Sequence, residues 1–167
     1  MSLSQPVAKI RPATAEDADA ITSVYLESAE HHAAIDPERY TIPSRDFISE
    51  RYRNGRQYQA DADSVVVTFV AESSGQIVGF VDARLDKSPD PMHKDMNYCH
   101  IIEIAVAERT RSQGIGEQLL RAAEDWGREH GADLASLEYN AANTRAATFY
   151  QKRMGFRVAS ITAIKRL

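Results

Sequence analysis

Two rhythms of apolar and polar residues divide this chain into strands and helices. Ile101-Ile-Glu-Ile-Ala-Val106 is a short β-branched run that reads as a buried strand. Beyond it, Ile115, Leu119, Leu120, Ala123 and Trp126 recur at the spacing of one helix face. Upstream, Val7 to Arg11 predicts a first strand. A helix then runs from a cap at Thr14, with Asp17 as the partner of an approximate capping box, to about Ala34. Ala18, Ile21, Val24 and Tyr25 form its apolar stripe. Asp36-Pro37 stops it, and Pro43-Ser-Arg-Asp opens a second helix through about Arg53. Strands at Val65 to Glu72 and Ile77 to Leu85 are joined by the hairpin turn Ser73-Ser-Gly75-Gln76. A polar loop, Asp86 to Met96, leads into a strand over 98–106. Leu134 to Tyr139 predicts the next strand, Thr144 to Met154 the last helix, and Phe156 to Leu167 terminal β structure.

That order predicts an α+β architecture: a mostly antiparallel sheet with helices on its faces, in a single domain over 1–167. A chain of 167 residues suits one core that buries roughly 70% of its unfolded surface. Its net charge of −4, without a basic tract, argues against a nucleic-acid partner and leaves a cationic or amine partner open. The N-terminus has no apolar signal-peptide core, and no apolar run approaches the ~20 residues of a membrane span. The single Cys99 forms no internal disulfide and reads as a small buried strand residue. A soluble, cytoplasmic protein without a membrane partner is the expectation.

Arg111-Ser112-Gln113-Gly114-Ile115-Gly116 lies where the strand turns into a helix. A helix start offers backbone N–H groups without intrahelical partners and the positive end of the helix dipole. Glycine lets a ligand approach that backbone closely. The turn is therefore a candidate phosphate cradle, or else a plain connection. Two common nucleotide motifs do not fit. Glu117 stands where a phosphate-loop lysine belongs, and Leu119 where the dinucleotide fingerprint needs its third small residue.

The pattern Arg/Gln-x-x-Gly-x-Gly/Ala does fit, through Arg111, Gly114 and Gly116. Downstream stand Asn143-Thr-Arg-Ala146-Ala-Thr-Phe149-Tyr150 and Met154-Gly155-Phe156. In this order the two segments resemble the signature of the GCN5-related N-acetyltransferase (GNAT) superfamily, and the resemblance covers nearly the whole chain. It implies a GNAT-like, mostly antiparallel sheet of six to seven strands with helices on both faces. It also implies acetyl-CoA (CoA) as the coenzyme, its pyrophosphate held by Arg111, Ser112, Gln113, Gly114, Ile115 and Gly116. Backbone groups around Ile104 and Val106 would hold the pantetheine, although both side chains would also serve as core. Asn143 would touch the coenzyme besides capping its helix. Tyr150 would lie near the thioester sulfur, where a half-buried tyrosine paired with Phe149 is the plainer alternative. The stretch 31–60, which spacing leaves undefined, would form part of the acceptor wall.

Acetyl transfer from a thioester to an amine needs a neutral nucleophile, stabilisation of an oxyanion and a proton for the departing thiolate. Tyr150, with an ordinary pKa of about 10, is the candidate acid. Three side chains compete as base, and a water chain to bulk could replace any of them. Glu138 precedes Tyr150 at a spacing found in some GNATs that acetylate protein N-termini, though a salt bridge would equally explain it. His100, whose ordinary pKa of about 6.5 suits proton abstraction, shares the face of Ile102, Ile104 and Val106 by strict strand alternation. Glu103 lies on the opposite face and ranks third. His31 and His32 read as helix-end residues or acceptor-pocket lining. His93 and His130 have no metal-ligand partner at a recognisable spacing, and no metal site or serine-nucleophile motif is expected. The leading reading is an acetyl-CoA-dependent N-acetyltransferase working by direct attack of a primary amine in a ternary complex. The acceptor is a small-molecule amine or a peptide N-terminus. A non-catalytic acetyl-CoA/CoA-binding regulatory module is the alternative, and relatives also admit a homodimer.

Overall fold

The computed structural model describes residues 8–55 and 64–167, so the predicted start at Val7 lies outside the described residues. Strand β1 covers Lys9–Pro12. The Arg11 guanidinium donates to both oxygens of Asp17 at 2.7 and 2.9 Å and to Glu72 at 2.9 Å, tying β1 to the turn that follows. Thr14 and Asp17 complete the expected capping box. Helix α1 spans Ala18–Ile35, and α2 spans Arg45–Arg53, capped by Ser44 accepting from the Phe47 N–H. Then come β2 (Val66–Ser73), β3 (Gln76–Lys87), β4 (Asn97–Val106), α3 (Ile115–Glu129) and β5 (Leu134–Leu137). Helix α4, Thr144–Thr148, runs directly into a wider π turn at Phe149–Arg153. No helix among the described residues is long and apolar enough to cross a membrane.

Among the described residues the sheet has five strands in the order β1-β2-β3-β4-β5. It is mixed: the first three pairings are antiparallel, and β4 with β5 is parallel. Helix α3 covers one face through Leu119, Leu120 and Ala123 packed on Val81, Ala83 and Ile101. Helices α1 and α2 cover the other through Ile21, Val24 and Ile48 on Val70 and Phe80. Cys99 is buried under α3, as its sequence predicts, and burial pushes its thiol up to about 11. A β-carbon at Gly127 would come within 2.4 Å of the Cys99 Cβ, so the glycine is what lets α3 lie so close to β4.

Three sequence expectations need correction. The six to seven strands are five among the described residues, because Phe156 to Leu167 forms no strand. Its apolar residues Val158, Ile161, Ile164 and Leu167 recur every third position and are exposed. That period places no continuous face on a pleated ribbon, which needs alternation. Strand β5 stops at Leu137 rather than Tyr139. Its last pairing is Ile101 with Leu137, and the next residue of β4 is a bulge. Asp82 opposes Glu103 while Ala83 opposes Ile101, leaving Ile102 as the extra residue. The bulge also overturns the predicted faces. His100 opposes Arg84, two positions from Asp82 on an unbroken stretch of β3, so His100 and Glu103 share one face.

Candidate active site

Past the pair Ile101–Leu137, β4 and β5 separate, and no described strand pairs with that edge of residues 102–106. The fork opens into a cavity of about 610 Å³. Its floor is β4 from Ile101 to Val106, one wall is the start of α3, and the other is α4 with Tyr150 and Arg153. Ser28, His31 and His32 of α1 close the far end, beside Glu138 and Tyr139 just beyond β5.

The α3 end has the features that would suit an anion. Gly114 caps the helix at φ +79°, in the left-handed region that glycine adopts without strain. Ser112 also has positive φ, +66°. The first N–H groups of α3 have no intrahelical acceptor and carry the positive end of its dipole. At Gly116 an added β-carbon would make ordinary contact with Phe149 Cζ at 3.6 Å and Val106 Cγ2 at 3.8 Å, consistent with the alanine that the motif also allows there. Arg111 donates through Nε to the Val106 carbonyl at 3.1 Å, fixing the turn against the end of β4. Arg145 and Arg153 line the same region. Nothing in the sequence singles them out beyond the place of Arg145 inside the second motif.

Of the residues expected to hold the coenzyme, Ile104, Val106, Arg111, Ser112, Gly114, Ile115, Gly116, Asn143 and Tyr150 line this cavity. Gln113 is exposed and stands outside its walls. The Ile115 side chain is buried in the α3 core, so that residue has only its backbone to offer. Asn143 caps α4 by accepting the Ala146 N–H at 3.1 Å.

The opposite end is acidic and aromatic. Tyr150 packs against Phe149, Tyr139 and Phe156 at ring distances of 5.2, 5.5 and 6.1 Å. Burial pushes its hydroxyl up to about 12, and the charge of Glu103 adds to the rise. Glu103 is half-buried in the cavity floor, where the Ser28 hydroxyl donates to it at 3.3 Å. Loss of water pushes its carboxyl up to about 7, reinforced by Asp82 and opposed by the Ser28 hydrogen bond. A carboxylate with that affinity exchanges protons near neutrality.

The other candidate bases stand differently. Glu138 is exposed on the loop after β5, at the cavity mouth. His100 lies outside the cavity walls, with Nδ1 3.0 Å from Ser136 Oγ, and burial lowers its pKa. His32 sits edge-on to Tyr40 at 5.3 Å, and its pKa is likewise lowered by burial. Among the described residues no three metal-ligating side chains cluster. Sequence alternation ranked Glu103 last because a run apolar on both faces gives no sign of the bulge at Ile102.

A forked sheet with an anion cradle on one lip and a buried tyrosine on the other matches a known class. The Acetyltransferase (GNAT) family model matches residues 22–156, and the chain belongs to that family. It is 28% identical to the aminoalkylphosphonate N-acetyltransferase of Salmonella typhimurium over 97% of this chain and 93% of that protein. It is 32% identical to an N-alpha-acetyltransferase of Sulfurisphaera tokodaii, over 56% of this chain and 58% of that one. The fold matches a tetramutant of protein BH1408 from Bacillus halodurans with a TM-score of 0.83 at 22% identity, covering 95% and 99% of the two chains. It also matches the aminoglycoside N-acetyltransferase AAC(6')-Iy in complex with CoA, with a TM-score of 0.73 at 18% identity, over 100% and 99%.

Proposed function

We propose that this chain, acting as one catalytic domain, transfers the acetyl group of acetyl-CoA to a primary amine by direct attack in a ternary complex. The observation that carries this is the placement of Glu103 and Tyr150 on the walls of a single cavity, close enough for the charge of one to act on the other. A module that only bound CoA would need neither group there, and this favours the enzyme over the regulatory alternative. The N–H groups at the start of α3, with Arg111, Arg145 and Arg153, fit a pyrophosphate. The free β4 edge at Ile104 and Val106 fits an amide-containing arm, which would pair with it as a strand would.

Acetyl-CoA supplies an activated acyl carbon and a thiolate leaving group. Glu103 takes a proton from the ammonium form of the incoming amine, which frees the nitrogen lone pair for attack on the acyl carbon. The second N–H proton leaves to solvent as the tetrahedral adduct collapses and the C–S bond breaks. Backbone N–H groups on the free edge of β4 stabilise the charge that gathers on the acyl oxygen. Tyr150, held protonated across the neutral range, donates its hydroxyl to the departing sulfur. Glu103 and Glu138 make the acceptor end negative, which suits an amine that arrives as a cation. Names among the relatives, aminoalkylphosphonate and aminoglycoside N-acetyltransferase, support a small-molecule amine, and the N-alpha-acetyltransferase keeps a peptide N-terminus in view.

Release of free thiol from acetyl-CoA, followed across a panel of small amines and a short peptide, tests this reading. Turnover with none of them would remove it. With an acceptor in hand, Tyr150→Phe is expected to lower kcat about 100-fold, the scale of losing one positioned acid. The KM for acetyl-CoA should stay within a few-fold, because the phosphates are held elsewhere. An unchanged kcat would assign the acid to another group.

A further inference from the structure

Directly opposite Glu103 on the β3–β4 ladder stands a second acid, Asp82, fully buried in the sheet. Tyr52 of α2 donates its hydroxyl to one Asp82 oxygen at 2.6 Å, and Thr68 of β2 donates to the other. Paired positions on an antiparallel ladder hold their β-carbons about 5 Å apart. Two carboxyl groups therefore share one face, Asp82 closed off from water and Glu103 half-buried at the cavity floor. A carboxylate is an expensive way to fill such a position, since an amide of the same shape could pair with the same two hydroxyls, accepting from one and donating to the other, without a buried charge.

We infer that Asp82 is a positioning residue, held by Tyr52 and Thr68, whose negative charge adds to burial in making Glu103 hold its proton more tightly. This rests on the reading of Glu103 as the base. Other groups face the pair as well. Ser28, His31 and His32 come from α1, and Tyr150 comes from the turn after α4. The charge of Arg51 on α2 reaches Asp82 and partly offsets its burial. Glu138 adds a carboxylate at the exposed cavity mouth, but Asp82 is the acid that stands directly opposite Glu103 on the ladder. Burial raises Asp82 to about 6; burial also raises Glu103 to about 7, and the charge of Asp82 adds to that rise. Glu103 is thereby a stronger base than an isolated glutamate in the range where it must act.

Titration of the apoprotein, carrying 13C at its Asp and Glu carboxyl carbons, tests this by NMR with Glu103 assigned from a Glu103→Gln sample. In Asp82→Asn the Glu103 midpoint is expected to fall by about one pH unit, the scale of a removed like charge. The acid limb of kcat/KM should fall with it. Tyr52→Phe keeps the ring in the core and removes one hydrogen bond that ionises Asp82. It should move the midpoint the same way by less, and it carries the test if Asp82→Asn does not fold. A Glu103 midpoint unchanged in the folded variants would overturn the inference and leave Asp82 as a structural tie between α2 and the sheet. Full activity in Glu103→Gln would instead remove the base assignment, and the NMR midpoints would still decide whether the two acids are coupled.

Discussion

Gly114→Glu is expected to weaken CoA and acetyl-CoA binding by at least ~100-fold, measured by isothermal titration calorimetry. Two effects act together. Gly114 holds φ at +79°, where a side chain strains the backbone by about 1 kcal/mol or more. Its new carboxylate would also stand at the start of α3, beside the N–H groups proposed to receive the pyrophosphate, and would repel the phosphates there. No atom lies within 4 Å of a β-carbon placed at Gly114, so the substitution meets no packing obstacle. Unfolding curves are expected to show a modest loss of stability, and Gly114→Ala should lose only the backbone share of the affinity. Wild-type binding by Gly114→Glu would place the phosphates outside this turn.

The second large effect is expected at Glu103. Glutamine keeps the shape and can still accept from Ser28, but it cannot take a proton. Replacing the base in this way should lower kcat/KM for the amine by about 100- to 10,000-fold. The pH profile gives the sharper readout. Glu103 must be ionised to act and its carboxyl sits at about 7, so wild-type activity should rise as pH passes through that value. In Glu103→Gln that limb should disappear. If the limb survives in the variant, it belongs to another group, such as the amine itself.

Much of this was visible before any coordinates. The helix α3 stripe, the hairpin between β2 and β3 and the Asn143 cap follow from rules that act within a few residues. The match to the family model bears out the membership inferred from Gly114, Gly116, Asn143 and Tyr150. What stayed hidden depends on partners distant in sequence. The bulge at Ile102 exists only in the pairing of β4 with β3, and one extra residue reversed the face of His100 relative to Ile104. The end of β5 is set by where β4 leaves it. The π turn that carries Tyr150 has no punctuating residue to announce it. The cost was specific: parity puts His100 and Glu103 on opposite faces, and the ladder puts them on one.

The buried acids also reach beyond catalysis, into the folding equilibrium. Asp82 and Glu103 release their protons at about 6 and 7 in the folded chain, against ordinary values of 3.8 and 4.5. The native state therefore holds more protons than the unfolded one across that interval, and their contribution makes folding less favourable as pH rises through it. For Asp82 alone the loss is on the order of 3 kcal/mol by the time it is fully ionised. Asp17 works in the opposite sense. Arg11 holds it down to about 2, so its contribution is present above the ordinary carboxylate range and fades only in strong acid. Denaturant unfolding of wild type and Asp82→Asn should therefore give stabilities that diverge between pH 4 and pH 7, with the variant gaining as pH rises. Parallel curves would mean that Asp82 titrates alike folded and unfolded. Diverging curves would mean that the ionised pair useful to the chemistry is one that the native state tolerates rather than favours.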